Sequence, residues 1–317
     1  MSYLRRALFI LAIVLFAAVP LTNSSVPYQF TIILASGLAT LGVVVLLRAG
    51  LISFGHGLYY ATGAYAVAYL APVLHVNALL VVLAATAIAG VLAAVIGLFM
   101  VRYRGVFFAM LNLALSMVAY TVLLKFYNLT GGSDGMQVST LQFFGLARKD
   151  PSFLYLLLYL TLALVVVVGW LLTRYLDSPL GWALTAIENN ETRVEYMGKP
   201  VKKILLLAYT LSGLLAGLGG AITAVAVGYV DPGFAYWLKS AEFLVIAVLG
   251  GVGSVVGAFG GALIFEMLSI NAAQYLTNTW GILLGIAIYA IVRFAPKGLW
   301  GLYDAWWRLR GARVTHD

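Results

Sequence analysis

The chain has 317 residues, of which 63% are apolar and 9% charged, with a net charge of +8 and no cysteine. Soluble domains carry about 25% charged residues, so this composition excludes a soluble globule and points to a single membrane domain covering the whole chain. The missing cysteine excludes disulfides, thiolate metal ligands and a cysteine nucleophile, while lysines and arginines placed between apolar runs, with no basic aromatic face, exclude nucleic acid as a partner.

Apolar runs of about 20 residues can cross the hydrocarbon as helices. The pattern predicts an all-α, multi-pass transmembrane helix bundle with ten crossings, some short or broken by glycine: 7–21, 28–47, 52–74, 77–101, 106–126, 153–173, 204–228, 239–250, 255–272 and 279–294. The first run follows Arg5 and Arg6 and also fits a cleaved signal; it lacks a clean small-x-small cleavage site and is read as retained. Starting inside, ten crossings leave both termini cytoplasmic. Of the nineteen basic residues, Arg5, Arg6, Arg48, Arg102, Arg104, Arg174, Arg193, Lys199, Lys202, Lys203, Arg293, Lys297, Arg308, Arg310 and Arg313 then lie inside. Lys125, Arg148, Lys149 and Lys239 lie outside, which is the asymmetry expected of cytoplasmic loops.

In chain order, the segment Ser53-Phe54-Gly55-His56-Gly57 opens the third crossing. His56 is either a packed residue with one hydrogen-bond partner or, with Ser53, a polar lining of a path. The loop 127–152 is external and holds the turn-rich Thr130-Gly131-Gly132-Ser133-Asp134-Gly135. The loop 174–203 is cytoplasmic, and within it Leu184 to Met197 reads as a helix stopped by Gly198 and Pro200. Glu188, Glu191 and Glu195 are three and four residues apart and share one face, which is either solvated or answered by a partner.

The short crossing 239–250 ends in Gly250-Gly251-Val252-Gly253-Ser254. Gly253, Gly257 and Gly261 recur every four residues and clear a helix face for close approach, whereas Gly250 to Ser254 reads as a helix break facing a polar cavity. Glu266 lies well inside the ninth crossing and Glu242 near the outer end of the eighth. A carboxylate at that depth costs about 2.5–3.5 kcal/mol on insertion scales, so Glu266 either serves the path or is paired at a subunit interface. Gly50-Leu51-Ile52-Ser53 and Gly251-Val252-Gly253-Ser254 form a weak internal echo, of the kind left by transporter repeats or by glycine packing alone.

No G-x-x-x-x-G-K-[ST], H-E-x-x-H or G-x-S-x-G motif is present, and His56, His75 and His316 are too scattered for a metal cluster. The chain therefore reads as a transport protein without catalytic residues, cofactor or metal. If ATP drives it, the ATPase is another chain.

Four stretches together resemble the permease subunits of bacterial branched-chain amino-acid ABC importers, in particular the LivM-like branch. They are Gly50 to His56 with Gly63-Ala64-Tyr65; Thr130 to Gly135; Ala186 to Glu191 through Gly198 and on to Gly213 to Ala221; and Gly250 to Ser254 through Gly257-Ala258. The resemblance implies a partner permease of similar fold in a heterodimer, two cytoplasmic ATPase subunits, an external solute-binding protein and residence in the cytoplasmic membrane. It also implies that Glu188, Glu191, Arg193, Glu195 and Gly198 belong to the ATPase-docking loop. Ser53, His56, Gly251, Gly253, Ser254 and Glu266 are the candidate translocation path. Thr192-Arg193-Val194 departs from the small, alanine-type residues usual in that loop. Relatives with these motifs move branched-chain amino acids most often, but also urea or other small polar solutes. A secondary transporter with Glu266 and His56 as an ion relay is the competing reading.

Overall fold

A computed structural model describes residues 26–74, 77–138, 141–143, 146–147 and 151–275, with residues 285 and 289. The expected crossing 7–21, the expected crossing 279–294 apart from residues 285 and 289, and His75 and His316 lie outside the described residues. Helices run as α1 Val26–Leu47, α2 His56–Leu74, α3 Ala78–Met100, α4 Gly105–Lys125, α5 Tyr127–Thr130, α6 Pro151–Leu176, α7 Pro179–Tyr196, α8 Val201–Val227, α9 Trp237–Gly250 and α10 Val255–Tyr275. Four two-residue strands are β1 Met136–Gln137, β2 Gln142–Phe143, β3 Leu146–Ala147 and β4 Tyr229–Val230. They form two antiparallel pairs, β1 with β4 and β2 with β3.

The hub is α8, which packs on α1, α2 and α3. Lipid tails are as apolar as leucine, so helices in a bilayer associate through close packing and not through hydrophobic exclusion. The sequence supplies that closeness with glycine. A Cβ at Gly220 would overlap the Tyr60 carbonyl of α2, and one at Gly217 the Ala89 methyl of α3. Gly219 meets the Ala35 carbonyl of α1, and Gly42 of α1 meets the Ser212 carbonyl.

Among the described residues, five helices, α1, α3, α4, α6 and α8, are long and apolar enough to cross a membrane. The fold is thus an all-α membrane bundle, but ten separate crossings do not follow from it. The segments expected at 239–250 and 255–272 form one bent pair, α9 and α10, meeting at 116°. With 14 residues, α9 is about 21 Å long at 1.5 Å per residue, short of the roughly 30 Å hydrocarbon. The crossing expected from 52 starts only at His56. The chain leaves α1 through Gly50, at φ 69°, and Ser53 Oγ accepts the Gly55 N–H at 3.2 Å, a side-chain turn that competes with helix. This non-helical stretch is tolerated because Leu51, Ser53 and Gly55 are buried in protein.

The two ends of the bundle differ. At one, Arg48 Nε donates to Thr185 Oγ1 at 3.3 Å, Arg104 pairs with Glu191, and Gly50 packs on the Glu188 stem. At the other, β1 and β4 pair, the Tyr69 hydroxyl donates to the Leu129 carbonyl and that of Tyr229 to the Asp134 carbonyl. The Tyr127 hydroxyl donates to Asp134, and that hydrogen bond, followed by the carboxylate's charge, raises the phenol's pKa above its ordinary value. Described arginines from the loops read as cytoplasmic thus gather at one end, and the Gly131-to-Gly135 turn at the other.

Candidate translocation core and coupling element

Two helices begin in the middle of the bundle. The Gly57 N–H at the start of α2 donates to Ser240 Oγ in the first turns of α9 at 2.8 Å. Just before α9, the Ala235 carbonyl accepts from Ser116 of α4 at 2.7 Å. Ser116 stands about 16 Å along α4 from Gly105, near the middle of a helix about 30 Å long. The stretch 51–55 rises from the basic end and the stretch 231–236 descends from the other, and they meet there. Asp231 and Pro232 account for the second halt: the Asp231 carboxylate accepts the Gly233 N–H at 2.7 Å, and Pro232 donates no N–H.

A buried polar network fills this level. Gly55 lies against Asn112, where a Cβ would come within 2.8 Å of Oδ1. Asn112 Oδ1 accepts from the Tyr209 hydroxyl at 2.6 Å, which accepts from the Tyr59 hydroxyl at 2.8 Å. Asn112 Nδ2 donates to the Phe108 carbonyl, and the Tyr60 hydroxyl to Thr223 Oγ1 at 2.7 Å. His56 Nε2 shares a 2.7 Å hydrogen bond with Ser212 Oγ. Burial at low dielectric makes each of these bonds costly to leave unmade, so the network pins α2, α4 and α8 to one another.

Glu266, Lys239 and Glu242 have partners here, whereas the buried His56 Nδ1 has no hydrogen-bond partner. Ser36 Oγ donates to Glu266 at 2.7 Å. Lys239 bonds Glu242 at 2.6 Å, and its ammonium lies 5.5 Å from the Phe243 ring centroid and 6.0 Å from that of Tyr60. Lys239, expected outside, sits in the first turn of α9 beside Ser240.

At the break between α9 and α10, Gly251 adopts φ 95°, and Ser254 Oγ accepts the Gly257 N–H at 3.2 Å, capping α10. Gly257 and Gly261 pack against the backbone of α9 at Gly250 and Ile246, as the packing reading held. The expectation that Gly253 clears a face for close approach fails. A Cβ there meets no atom within 4 Å, because it precedes α10 and does not share the packed face. The freed groups of the break are thus partly satisfied by Ser254.

The basic-end helix α7 is longer than expected and is broken. Ser178 caps its start, and Asn190, at φ −163° and ψ 95°, interrupts it and caps the following turn by accepting the Arg193 N–H at 2.9 Å. The extended residue breaks the i, i+4 register, so the three glutamates do not share one free face. Glu191 turns back to Arg104, whose Nε and Nη2 donate to its two carboxylate oxygens at 2.7 Å each. Glu188 and Glu195 are exposed, with Arg193, Gly198, and Tyr196 and Met197 at 89% and 72% exposure.

Sequence reasoning named Ser53, His56, Gly251, Gly253, Ser254 and Glu266 for the path but not Asn112, Ser116, Tyr209, Ser212 or Ser240, and read Arg104 only as a cytoplasmic basic residue. Asn112 and Ser116, four apart in an otherwise apolar helix, were a readable signal.

Residues 25–292 match the family described as branched-chain amino acid transport system / permease component. The chain belongs to this family. It is 30% identical over 281 residues to the high-affinity branched-chain amino acid transport system permease protein LivM of Escherichia coli K12, a match covering 81% of this chain and 65% of that one. The LivM protein of Salmonella typhimurium LT2 is 28% identical over 277 residues, covering the same shares. The ribose import permease protein RbsC of E. coli K12 is 28% identical over 235 residues, covering 71% of this chain and 70% of its own. The matches thus span about two thirds of the length of the LivM relatives. No solved structure matches the chain.

Proposed function

We propose that this chain is the permease subunit of an ABC importer that carries amino acids, branched-chain ones first, across the cytoplasmic membrane. In this reading α7 and both termini face the cytoplasm, two separate ATPase subunits supply the energy, a paralogous permease completes a heterodimer, and an external solute-binding protein delivers substrate. The observation that carries the reading is the pairing of a LivM-like sequence with an exposed, kinked helix at the basic end. An amphipathic helix of this kind can enter a partner's cleft and move as a body. Helices starting at mid-membrane beside polar side chains are where discontinuous-helix transporters place their substrate, so Ser53, His56, Gly251, Gly253, Ser254 and Glu266 remain proposed path residues, joined by Asn112 and Ser240.

The competing ion relay from His56 to Glu266 finds less support, since each closes on a hydroxyl of its own, Ser212 and Ser36. The ribose permease relative keeps a sugar as the second substrate class. Proteoliposomes holding this chain with its co-expressed permease, ATPases and binding protein test the proposal. Radiolabelled leucine should accumulate only with ATP on the cytoplasmic side. Uptake by this chain alone under an ion gradient, or of ribose and not leucine, contradicts it.

A further inference from the structure

We infer that the Arg104–Glu191 ion pair is the link through which movement of α7 reaches the mid-membrane core, with α4 as the rod that carries it. This rests on the reading of α7 as the ATPase-docking helix.

Three observations carry the inference. Asn190 divides α7 into two parts with different attachments. The part before it is tied to α1: Arg48 bonds Thr185 and lies 5.8 Å from the Trp182 ring, and Glu188 packs on Gly50. Since α1 is packed against the hub α8 almost throughout, this part is anchored to the bundle's least compliant region. The part after Asn190 reaches the bundle through the buried Val194 and through Glu191, and the residue that Glu191 grips is the N-cap of α4.

The pair is also built to transmit displacement. A guanidinium fork on a carboxylate fixes orientation as well as distance, which a lysine cannot do. Arg104 is held at its own end too, because Nη1 donates to the Val101 and Tyr103 carbonyls at 2.6 and 2.8 Å. Motion of Glu191 therefore pulls on the α3–α4 turn and is not absorbed by a loose side chain.

Finally, α4 is the helix suited to move. It buries only Phe108, Asn112 and Ser116, along one stripe. Two of these are the residues that touch the mid-membrane starts, Asn112 against Gly55 and Ser116 on the Ala235 carbonyl. A shift of α4 along its axis acts on both starts at once, while its remaining surface slides against lipid or a partner.

The absence of cysteine from the chain allows a direct test. Spin labels at Val118→Cys on α4 and Leu207→Cys on α8, both exposed, report the distance between rod and hub in the complex with its co-purified ATPase, with and without a non-hydrolysable ATP analogue. The analogue should shift that distance. Arg104→Ala should lose the shift while the ATPase stays bound, and Glu191→Ala, which cuts the same link from the other side, should lose it in the same way. Side chains 31% exposed on both partners contribute little to folding, so the alanine variant reads out transmission and not collapse. A full shift in Arg104→Ala or in Glu191→Ala overturns the inference. An unaltered complex with ATPase bound but no shift also overturns it and leaves the docking reading standing. Failure of the unaltered chain to retain any ATPase takes down the docking reading, and the inference with it.

Discussion

Helices α8 and α4 are both apolar and of membrane length, yet they sit in the molecule in opposite ways. α8 is buried over most of its length; its Gly219 and Gly220 lie against the backbones of α1 and α2, and its Gly213 and Gly217 against the Ala93 and Ala89 methyls of α3. α4 presents Val106, Phe107, Met110, Val118 and Val122 outward and holds the bundle by one stripe containing two polar side chains. Glycine contacts tolerate no displacement, because interpenetrating backbones have only one fit. A stripe of two hydrogen-bonding side chains can exchange partners between two positions of the helix, provided that none is left unmade. The difference separates a fixed hub from an element that can change position, and in a transporter both are needed.

The strongest way to break this comparison is at the hub. Gly220→Leu would drive a branched side chain into the Tyr60 carbonyl, so the expected cost exceeds the usual overpacking of about 1–3 kcal/mol. Little folded protein should be recovered in detergent; a normal thermal transition would show that α8 is not the close-packed centre.

The α9–α10 turn sharpens the comparison with an internal control. Gly257→Leu should lower the melting temperature and abolish uptake, since a Cβ there overlaps the Gly250 carbonyl. Gly253→Leu, with nothing near it, should change stability by no more than about 0.5 kcal/mol. Equal effects of the two would mean that the turn is held differently.

At α4 the expected effect on stability is smaller and that on function larger. Asn112→Leu leaves the Tyr209 hydroxyl without its acceptor, costing about 1–3 kcal/mol. Protein yield should persist while ATP-driven uptake falls at least about tenfold, a difference in barrier of about 1.4 kcal/mol. Uptake unchanged by Asn112→Leu would remove the polar stripe from the mechanism.

Much of this was legible in the sequence. Apolar length gave the helices, the basic residues marked one end, and the glycine-rich stretch 213–221 lay where the hub formed. Glu191 and Arg193 were rightly placed in a helix, but its three glutamates could not be resolved into separate roles. Asn190 reads as an ordinary helical residue until its backbone is seen to be extended, and Arg104, the partner of Glu191, lies 87 residues away in sequence. Hydropathy likewise counted α9 and α10 as two crossings, because it measures apolar length and not direction. The mid-membrane halts at Ser53 and Asp231 depend on short side-chain turns, a signal that composition masks. Lys239 was misplaced for the same reason: a start at mid-depth looks like a start at the surface.

If α7 works as proposed, its two sides do different work, the exposed end meeting an ATPase and Glu191 holding α4. Co-purification of the ATPase alongside ATP-driven uptake, in Tyr196→Ala with Glu195→Lys and separately in Arg104→Ala, tests it most directly. The account predicts that the first variant loses the ATPase and uptake together, while the second keeps the ATPase and its hydrolysis but loses uptake. Identical behaviour of the two, in either direction, would contradict it.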